Sequence, residues 1–445
     1  MGAFLGMRGN GDWATDQEPG NFREVILHEY PNGDTPLTAL LSMMSSESVD
    51  SDTFNWWTKR LPAQAGSITA GQIYIDVGLS TAYVYATHGT THGADGSTVY
   101  AKVPEAFAKE CRKGHNVTLI DSDRSYVALN AHVNDVVYNG ANSYLALKLL
   151  EADDNAGDDV ASYNMATVDR IMITSNSNPQ GGSTPRGIAY DPTKFYNHTQ
   201  IFRAALEMTR TAQKTRLRTG DQLKEAQREA LELIGIEQEK ALYYGIRKEW
   251  TGANGQPETT FDGIINFIKR GATTGFSASA ASSINDYTLR SDFTGQSWLE
   301  GGEDWFDDNL EFLGTYAPSE VIALCGAGAL TGLTKLAKYT GNIQMEPGPN
   351  NAYGMKFTTW INPHITIHMK KAPMMAREPS MTNSMLLFSP KNIKTKVMDE
   401  ITYLPDRQPN GMDGVMSEYL GEWGPEYHFP DQFQWLNGIG LDSIV

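Results

Sequence analysis

The longest regular pattern of apolar and polar positions lies between Asp221 and Gly245, and it predicts an α-helix. Its apolar residues recur at intervals of three and four and form one narrow stripe: Leu223, Ala226, Ala230, Leu233, Ile234, Ala241 and Leu242. The remaining positions carry charges of both signs at helical spacing: Lys224, Glu225, Arg228, Glu229, Glu232, Glu237, Glu239 and Lys240. Asp221 is the expected N-cap, and a helix of this length spans roughly 40 Å. It is therefore either a surface helix of an ordinary α+β domain or a spine that joins two lobes.

Strand patterns precede the helix in two stretches. In residues 51–104, Phe54 and Trp56 alternate with Asn55 and Trp57, so the adjacent indoles are predicted on opposite faces of one strand. This stretch has many hairpin signals but too few apolar residues for a core of its own, so we expect it to need a partner surface. Residues 105–190 contain short strand patterns separated by turns such as Asn139–Gly140, which predict a small β module.

Helix and strand patterns alternate after the long helix. They predict an acidic helix over Gly302–Leu313, a buried strand over Glu320–Cys325 and a helix over Ala329–Tyr339, followed by three further strands. The fold class expected from the whole pattern is α+β. Changes in the pattern divide the chain into the segments 1–50, 51–104, 105–190, 191–260, 261–420 and 421–445, of which 105–190 is the β module and 191–260 contains the long helix.

The charge balance narrows the choice of partners. With 36 basic and 53 acidic residues, the net charge is −17, which argues against a protein that grips nucleic acid along a basic groove. The two cysteines, Cys111 and Cys325, lie far apart and lack metal-ligand spacing, so buried thiols in a reducing compartment are expected. Neither a signal peptide nor a membrane span is predicted, because the longest apolar run is short and rich in glycine.

Several motifs that carry chemistry are incomplete. Gly326–Gly332 lies between a strand and a helix, but Leu333 and Thr334 stand where a phosphate loop needs Lys and then Ser or Thr. The pairs His88/His92 and His364/His368 could each supply two ligands, fewer than a metal site needs. The oxygen-bearing side chains of Asp153, Asn155, Asp158 and Asp159 could bind calcium, but the bidentate Glu of an EF-hand loop is missing. We therefore expect no metal, no cofactor and no catalytic residue.

Five short segments resemble the major capsid proteins of tailed bacteriophages with the lambdoid-type coat fold. They are Phe54-Asn-Trp56 with Leu61, Asn197-His-Thr-Gln-Ile-Phe202, Gly235-Ile-Glu237 through Leu242-Tyr-Tyr-Gly245, Phe261-Asp-Gly263-Ile264, and Gly421-Glu-Trp423 with Tyr427 and Phe429. In the family these segments begin the extended loop, open the spine helix, end it, turn into the axial domain and form the return strand. The family usually continues the return strand with Asn-Pro, whereas this chain has Asp431-Gln-Phe433.

The resemblance implies a structural subunit of an icosahedral shell, with no enzymatic activity. In such a subunit the segments would be an N-terminal arm (1–50), an extended loop (51–104), a small inserted β module (105–190), a peripheral domain built on the spine helix (191–260), an axial α/β domain (261–420) and a C-terminal return strand (421–445). The resemblance also implies hexamers and pentamers of the chain itself, together with portal, separate scaffolding and decoration proteins. Packaged DNA would be only a weak neighbour, and assembly would take place in the host cytoplasm. The residues expected between subunits are Phe54, Trp56, Trp57, Lys59 and Arg60 in the loop and Arg228, Glu232, Glu237 and Lys240 on the helix. Deletion of residues 62–100 is expected to leave a folded subunit that cannot close shells.

Two other functions are compatible with the sequence. The same fold could form the shell of a cellular nanocompartment that encloses an enzyme. Alternatively, the acidic cluster Glu300, Glu303, Asp304, Asp307 and Asp308 could supply a carboxylate pair near Glu303 or Asp307 for a hydrolase, although a solvated helix face is the simpler explanation.

Overall fold

The computed structural model divides the chain into two compact units. Unit 1 comprises Met1–Thr58 and Lys194–Val445, and unit 2 comprises Lys59–Thr193. The structure describes residues 37–38, 41, 45–59, 64–68, 71–122, 128–153, 165, 167–215, 222–273, 283–339, 345–352 and 355–444. Unit 2 is continuous in sequence, whereas unit 1 is assembled from both ends of the chain.

The strands are numbered in chain order. Unit 1 begins with β1 (Ser46–Ser48) and β2 (Thr53–Thr58). Unit 2 contains β3 (Ala65–Ser67), β4 (Ile73–Tyr74), β5 (Thr98–Lys102), β6 (His115–Ile120), β7 (Ala128–Val137), β8 (Tyr144–Leu149) and β9 (Arg170–Asn176). Then follow β10 (Thr193–His198), β11 (Gln200–Thr209), β12 (Lys248–Thr251), β13 (Pro257–Thr260), β14 (Ile284–Asp286), β15 (Glu320–Cys325), β16 (Met345–Ala352), β17 (Met355–Ile361), β18 (Thr366–Lys371), β19 (Met385–Phe388), β20 (Ile393–Leu404), β21 (Gly414–Tyr427) and β22 (Gln434–Asn437).

The α-helices are likewise numbered in chain order. They are α1 (Tyr85–His88), α2 (Glu105–Glu110), α3 (Arg210–Lys214), α4 (Gln222–Tyr244), α5 (Ile264–Thr273), α6 (Trp298–Tyr316), α7 (Ala327–Tyr339) and α8 (Pro373–Arg377). The α+β class predicted from the sequence is confirmed. No helix in the described part of the chain is long and apolar enough to span a membrane.

Unit 2 is a seven-stranded sheet with the order β3-β9-β6-β7-β8-β5-β4. Its core combines Ile73, Val99 and Ala101 from the first stretch with Val117 and Leu147 from the second, and all five are buried. The strands of residues 65–102 thus have no core of their own, as predicted, and the partner surface that they need is supplied by residues 105–176 of the same chain. For the same reason, deletion of 62–100 would remove three strands from this sheet, so the folded subunit expected from it is not compatible with the structure.

Two larger sheets form unit 1. A four-stranded sheet has the order β1-β20-β21-β11, and a seven-stranded sheet has the order β14-β22-β19-β15-β18-β17-β16. In the second sheet β15 is parallel to β18 and antiparallel to β19, so the sheet is mixed. Buried residues of α6 and α7, such as Trp305 and Leu333, pack in one core with Ile367 of β18. The helices and strands predicted over Gly302–Leu313, Glu320–Cys325 and Ala329–Tyr339 are confirmed.

The long helix exists, but its environment differs from the sequence pattern. It has 23 residues and a length of about 35 Å. Leu233, assigned to the apolar stripe, is 60% exposed, whereas Glu239, assigned to the charged face, is fully buried. The stripe holds elsewhere, since Ala230, Ile234 and Leu242 are buried.

The segment Asn197–Phe202 does not open this helix, which corrects the resemblance-based prediction. It lies on β10 and at the beginning of β11, and the helix begins twenty residues later, at Gln222. Burial alternates along β11, with Phe202 and Leu206 buried and Ile201 exposed, as expected for a β-strand. This strand pairs with β21.

The glycines at 326 and 332 allow close packing around α7. This role is consistent with the incomplete phosphate-loop motif in the sequence. A Cβ at Gly326 would lie 2.2 Å from the Thr382 carbonyl oxygen, and one at Gly332 would lie 2.6 Å from the Gly440 Cα. Small residues are thus needed where backbone meets backbone.

Some sequence predictions lie outside the described residues. They are the Asp221 cap, Arg60, and three of the four calcium candidates, Asn155, Asp158 and Asp159. The fourth, Asp153, is buried and accepts a hydrogen bond from the Tyr83 hydroxyl at 2.8 Å.

Candidate functional site

Three of the sequence segments meet around one buried side chain, Asn197. Its Oδ1 accepts hydrogen bonds from the backbone N–H groups of Asp262 (2.8 Å) and His198 (3.0 Å). Its Nδ2 donates to the carbonyl oxygen of Pro425 at 2.8 Å. A single amide therefore connects β10, the segment after the hairpin β12–β13 and the strand β21, and three of its four hydrogen-bonding positions are used inside the subunit.

Aromatic packing joins the same segments. The ring centroids of Phe202 and Phe261 are 5.9 Å apart, those of Phe202 and Trp423 5.7 Å, and those of Phe261 and Trp423 5.4 Å. All three rings are buried. The sequence indicated each segment separately, and the structure brings them together in one core.

Two glycines allow the end of α4 to touch the segment that leads into α5. The backbone N–H of Gly263 donates to the Gly245 carbonyl oxygen at 2.8 Å. A Cβ on Gly263 would lie 2.7 Å from the Gly245 nitrogen and 2.7 Å from the Tyr243 oxygen. A Cβ on Gly245 would lie 2.6 Å from the Phe261 oxygen. This contact fixes how the long helix meets the rest of unit 1, because no larger residue fits there.

Glu239 of α4 holds the end of the N-terminal segment. Its carboxylate accepts hydrogen bonds from the backbone N–H groups of Leu37 (3.2 Å) and Thr38 (2.8 Å) and from the Thr38 hydroxyl (2.8 Å). Leu37, Thr38 and Leu41 are helical, so the carboxylate meets backbone N–H groups of a helical segment. Sequence reasoning missed this contact, because Glu239 has the spacing of an ordinary surface charge.

A second charged contact attaches β1 to the edge of the four-stranded sheet. Glu47 pairs with Lys394 at 2.9 Å and also with Lys396. Hydrogen bonds from Lys396 and Lys394 lower the pKa of Glu47 from 4.5 to about 2. Lys396 also pairs with the buried Glu426 at 3.0 Å. The segment that leads out of the arm is therefore anchored to β20 by charge as well as by strand pairing.

The loop residues predicted between subunits divide into two groups. Phe54 and Trp56 are only 7% and 8% exposed and pack in the core of the same subunit, so neither side chain has surface to offer a neighbour. Trp57 points the other way and is 61% exposed, which confirms that the two indoles lie on opposite faces. Lys59 is exposed as well.

The residues predicted on α4 lie on its outer, accessible surface, but they do not share one face: Arg228 and Glu232 lie on one side of the helix, and Glu237 and Lys240 lie on another. Arg228 Nε is 3.0 Å from Glu232 Oε1, an i,i+4 pair on the helix surface. Glu237 and Lys240 are exposed. Two leucines on this helix, Leu231 and Leu233, are 51% and 60% exposed. The outer side of α4 thus combines mixed charge with apolar side chains.

The hairpin β12–β13 is a further surface feature, and the sequence analysis did not single it out. Its residues Lys248–Thr251 are all exposed, and those of Pro257–Thr260 are exposed or half-buried. Trp250 on this hairpin is 39% exposed, and Ile246 just before it is 60% exposed. A two-stranded hairpin without a core is marginally stable in water, so this one needs an additional surface to cover it.

The residues considered for metal binding or catalysis either have structural roles or do not cluster in the described part of the chain. The described residues contain no group of three or more His, Cys, Asp or Glu side chains that could hold a metal ion. Glu300 forms a capping box with Ser297 at the start of α6. Burial raises the pKa of Asp307, while a hydrogen bond from Asn362 (2.7 Å) lowers it.

Comparisons with known proteins agree with the sequence segments. A family model described as SU10 major capsid protein matches residues 20–440. A major capsid protein of Pseudomonas phage PaMx41 is 23% identical over 342 residues, which cover 76% of this chain and 69% of that protein. The capsid of cyanophage A-1(L) aligns with a TM-score of 0.40 and 11% identity over 60% of this chain and 85% of that chain. The holo-SrpI encapsulin complex from Synechococcus elongatus PCC 7942 aligns with a TM-score of 0.37 and 12% identity over 57% of this chain and 78% of that chain.

Proposed function

The chain belongs to the SU10 major capsid protein family, whose subunits form the icosahedral shell of a phage, and from this premise we propose which surfaces join the copies. The family match over residues 20–440 is the observation that carries the function. The copies meet, in our proposal, through the outer side of α4, the exposed face of β2 at Trp57 and Lys59, and the hairpin β12–β13.

Exposed apolar side chains support these surfaces. Trp57, Leu231, Leu233, Ile246 and Trp250 are each at least 39% exposed. Exposure of apolar side chains to water is unfavourable in free energy, and contacts between copies would bury these side chains. Aromatic residues are also enriched at the buried centre of protein interfaces.

Charged residues set the direction of these contacts rather than their strength. Arg228, Glu232, Glu237 and Lys240 place both signs along the outer side of α4. Exposed ion pairs add little stability, whereas complementary charge suppresses wrong docking and fixes register. We propose that these four charged residues determine how one copy meets the next in hexamers and pentamers.

We also propose that the subunit has no enzymatic activity. Among the acids considered for a hydrolase, Glu300 caps α6 and Asp307 is bonded to Asn362, so both have structural partners. Portal, scaffolding and decoration proteins are proposed partners, and the host cytoplasm is the proposed site of assembly. The arm, loop, module, peripheral and axial divisions of the coat fold remain our proposed functional regions.

Electron microscopy of the overproduced full chain tests the proposal. We expect closed particles of uniform diameter, together with a high-mass peak in size-exclusion chromatography. A chain that stays a discrete monomer at high concentration and cleaves a glycan would contradict the shell function. Double replacement of Leu231 and Leu233 by Ser should leave soluble subunits that no longer close shells. The matched control is Leu289→Ser, since Leu289 is 62% exposed but lies on none of the proposed surfaces.

A further inference from the structure

A small cavity in unit 1 contains more positive than negative charge. Its volume is about 220 Å³, and its charged lining residues are Lys194, Arg247, Arg270 and Asp262. Asp262 is the one carboxylate among the described residues that line it. The cavity is therefore locally positive, with three cations and one anion, although the chain as a whole has a net charge of −17.

One of the two arginines already uses the carboxylate. Arg270 Nε is 2.6 Å from Asp262 Oδ2, and the side chain of Asp262 is almost completely buried. Arg247 touches Asp262 only through its backbone N–H, which donates to Oδ1 at 3.2 Å. The Arg247 guanidinium instead donates to the Tyr196 carbonyl oxygen at 2.6 Å and stacks 3.5 Å from the centre of the Tyr196 ring. This holds the guanidinium in place while leaving most of its five donors for another acceptor.

The same cavity is rich in hydrogen-bond donors and poor in acceptors. Trp56 and Tyr427 also line it, and their Nε1 and hydroxyl groups have no hydrogen-bond partner among the described residues. Both side chains are buried. The acceptor groups of Asn197, a further lining residue, are occupied by backbone N–H groups. Because the Trp56 Nε1 and the Tyr427 hydroxyl are themselves shielded from solvent, the groups that an incoming acceptor would meet are the basic side chains of Lys194, Arg247 and Arg270.

Another carboxylate in unit 1 also lies between two arginines, but under different conditions. Glu418 pairs with Arg203 at 2.6 Å and with Arg407 at 3.1 Å, and these arginine side chains are 63% and 49% exposed. Water screens their extra charge. At the cavity, burial lowers the pKa of Arg247, and the nearby charge of Arg270 lowers it further. An additional negative charge would relieve that repulsion.

We infer that this cavity binds a carboxylate side chain of a neighbouring copy of the chain. The inference rests on the proposed function, in which copies meet near Trp57 and the hairpin that follows Arg247. A cavity of this volume is smaller than the pockets that hold drug-sized ligands, and it suits a single acidic side chain. Every neighbour in the shell has 53 Asp and Glu residues to offer, and bidentate pairing of Arg with carboxylate gives both affinity and direction.

High-resolution electron microscopy of assembled wild-type shells tests the inference directly. We expect a carboxylate from another subunit within about 4 Å of the Arg247 guanidinium. A cavity that holds only solvent, or a carboxylate from the same chain, would overturn the inference while leaving the shell function intact. Failure to form any shell would instead count against the proposed function.

A pair of variants supplies an independent measurement. Arg247→Met keeps the length of the side chain and removes its charge, and we expect the yield of closed shells to fall about tenfold or more, because one partner of a desolvated ion pair is lost. Arg247→Lys should restore part of the yield. The control is Arg210→Met, since Arg210 already pairs with Asp413 at 2.6 Å and both are exposed. Equal yields for Arg247→Met, Arg210→Met and wild type would overturn the inference.

Discussion

The two units of the subunit are built in opposite ways. Unit 2 is one uninterrupted stretch, Lys59–Thr193, with its own sheet and its own core. Unit 1 is made from both ends of the chain, and its contacts at Asn197 and Glu239 join residues that are 228 and 202 positions apart in sequence. The capsid motifs of the sequence that fall on described residues, from Phe54 to Phe429, all belong to unit 1. Unit 1 thus carries the sequence motifs shared with the family, whereas unit 2 is one continuous segment with a core of its own.

Deletions should separate the units most strongly. Removing residues 62–100 takes three strands out of unit 2 and exposes its buried core, so we expect aggregation or complete loss of cooperative unfolding. Replacing residues 60–192 by a short Gly/Ser linker should leave unit 1 folded. Circular dichroism and thermal unfolding of both deletions decide the question. If the shorter deletion were as stable as the longer one, the division into units would be wrong.

Unit 2 itself should fold when expressed alone as residues 59–193. Its core includes Val117, Leu119, Leu129, Leu145 and Leu147, each of which is fully buried in a cluster made of unit 2 residues. We expect one cooperative thermal transition and dispersed amide signals in an NMR spectrum. A spectrum without dispersion would show that unit 2 depends on unit 1.

The glycine contact at the end of α4 should be the most sensitive single position in unit 1. Gly263→Ala places a Cβ 2.7 Å from two backbone atoms, so we expect a loss of about 3 kcal/mol in the free energy of unfolding. Gly235→Ala is the matched control. Gly235 lies within α4, an added Cβ there would have nothing within 4 Å, and the substitution should stabilise the subunit by up to about 1 kcal/mol. Urea unfolding of both variants measures the difference, and equal effects would contradict the role of Gly263.

Glu239→Gln should weaken the attachment of the arm. A neutral amide replaces a carboxylate that accepts three hydrogen bonds, and we expect a loss of about 2 kcal/mol. Limited proteolysis before residue 45 should also accelerate. The control Glu237→Gln changes an exposed residue two positions earlier and should change the free energy of unfolding by less than about 0.5 kcal/mol. Identical proteolysis of both variants would rule out the attachment.

The smallest expected effect is the pH dependence of the β1 contact. Because the pKa of Glu47 is lowered from 4.5 to about 2, its stabilising contribution is complete above pH 4.5 and declines as the pH falls towards 2. The difference in melting temperature between wild type and Glu47→Gln should therefore shrink over that interval. A difference that stays constant from pH 5 to pH 2.5 would contradict ion pairing at this position.

Local patterns in the sequence predicted local structure well. The alternation at Trp56 and Trp57 gave the correct faces of β2, and the apolar run Glu320–Cys325 gave β15 at its observed bounds. The burial of Glu239 could not be predicted, because it depends on backbone N–H groups two hundred residues away. The shared core of residues 65–102 and 105–176 was hidden for the same reason, since its strands β5 and β8 are separated by more than forty residues.

The residues predicted between subunits differ in their exposure. Trp57, Lys59, Arg228, Glu237 and Lys240 have accessible surface, whereas Phe54 and Trp56 belong to the core. The sequence of a short apolar strand does not show whether its side chains are buried within the subunit or at a contact with another copy. The cavity beside Arg247 left no sequence signal at all, because its charged residues come from three separate segments.

The pairing of β2 with β10 has a practical consequence. Thr53 lies beside His198 and Trp56 beside Phe195, so the strands run antiparallel and the end of β2 lies beside the beginning of β10. Adjacent strands in such a pair are about 5 Å apart. A foreign domain whose own termini lie close together could therefore be grafted here in place of unit 2 without disturbing the surrounding sheet. Each subunit would then present one copy of an antigen or enzyme, which makes this junction a natural site for engineering multivalent display particles.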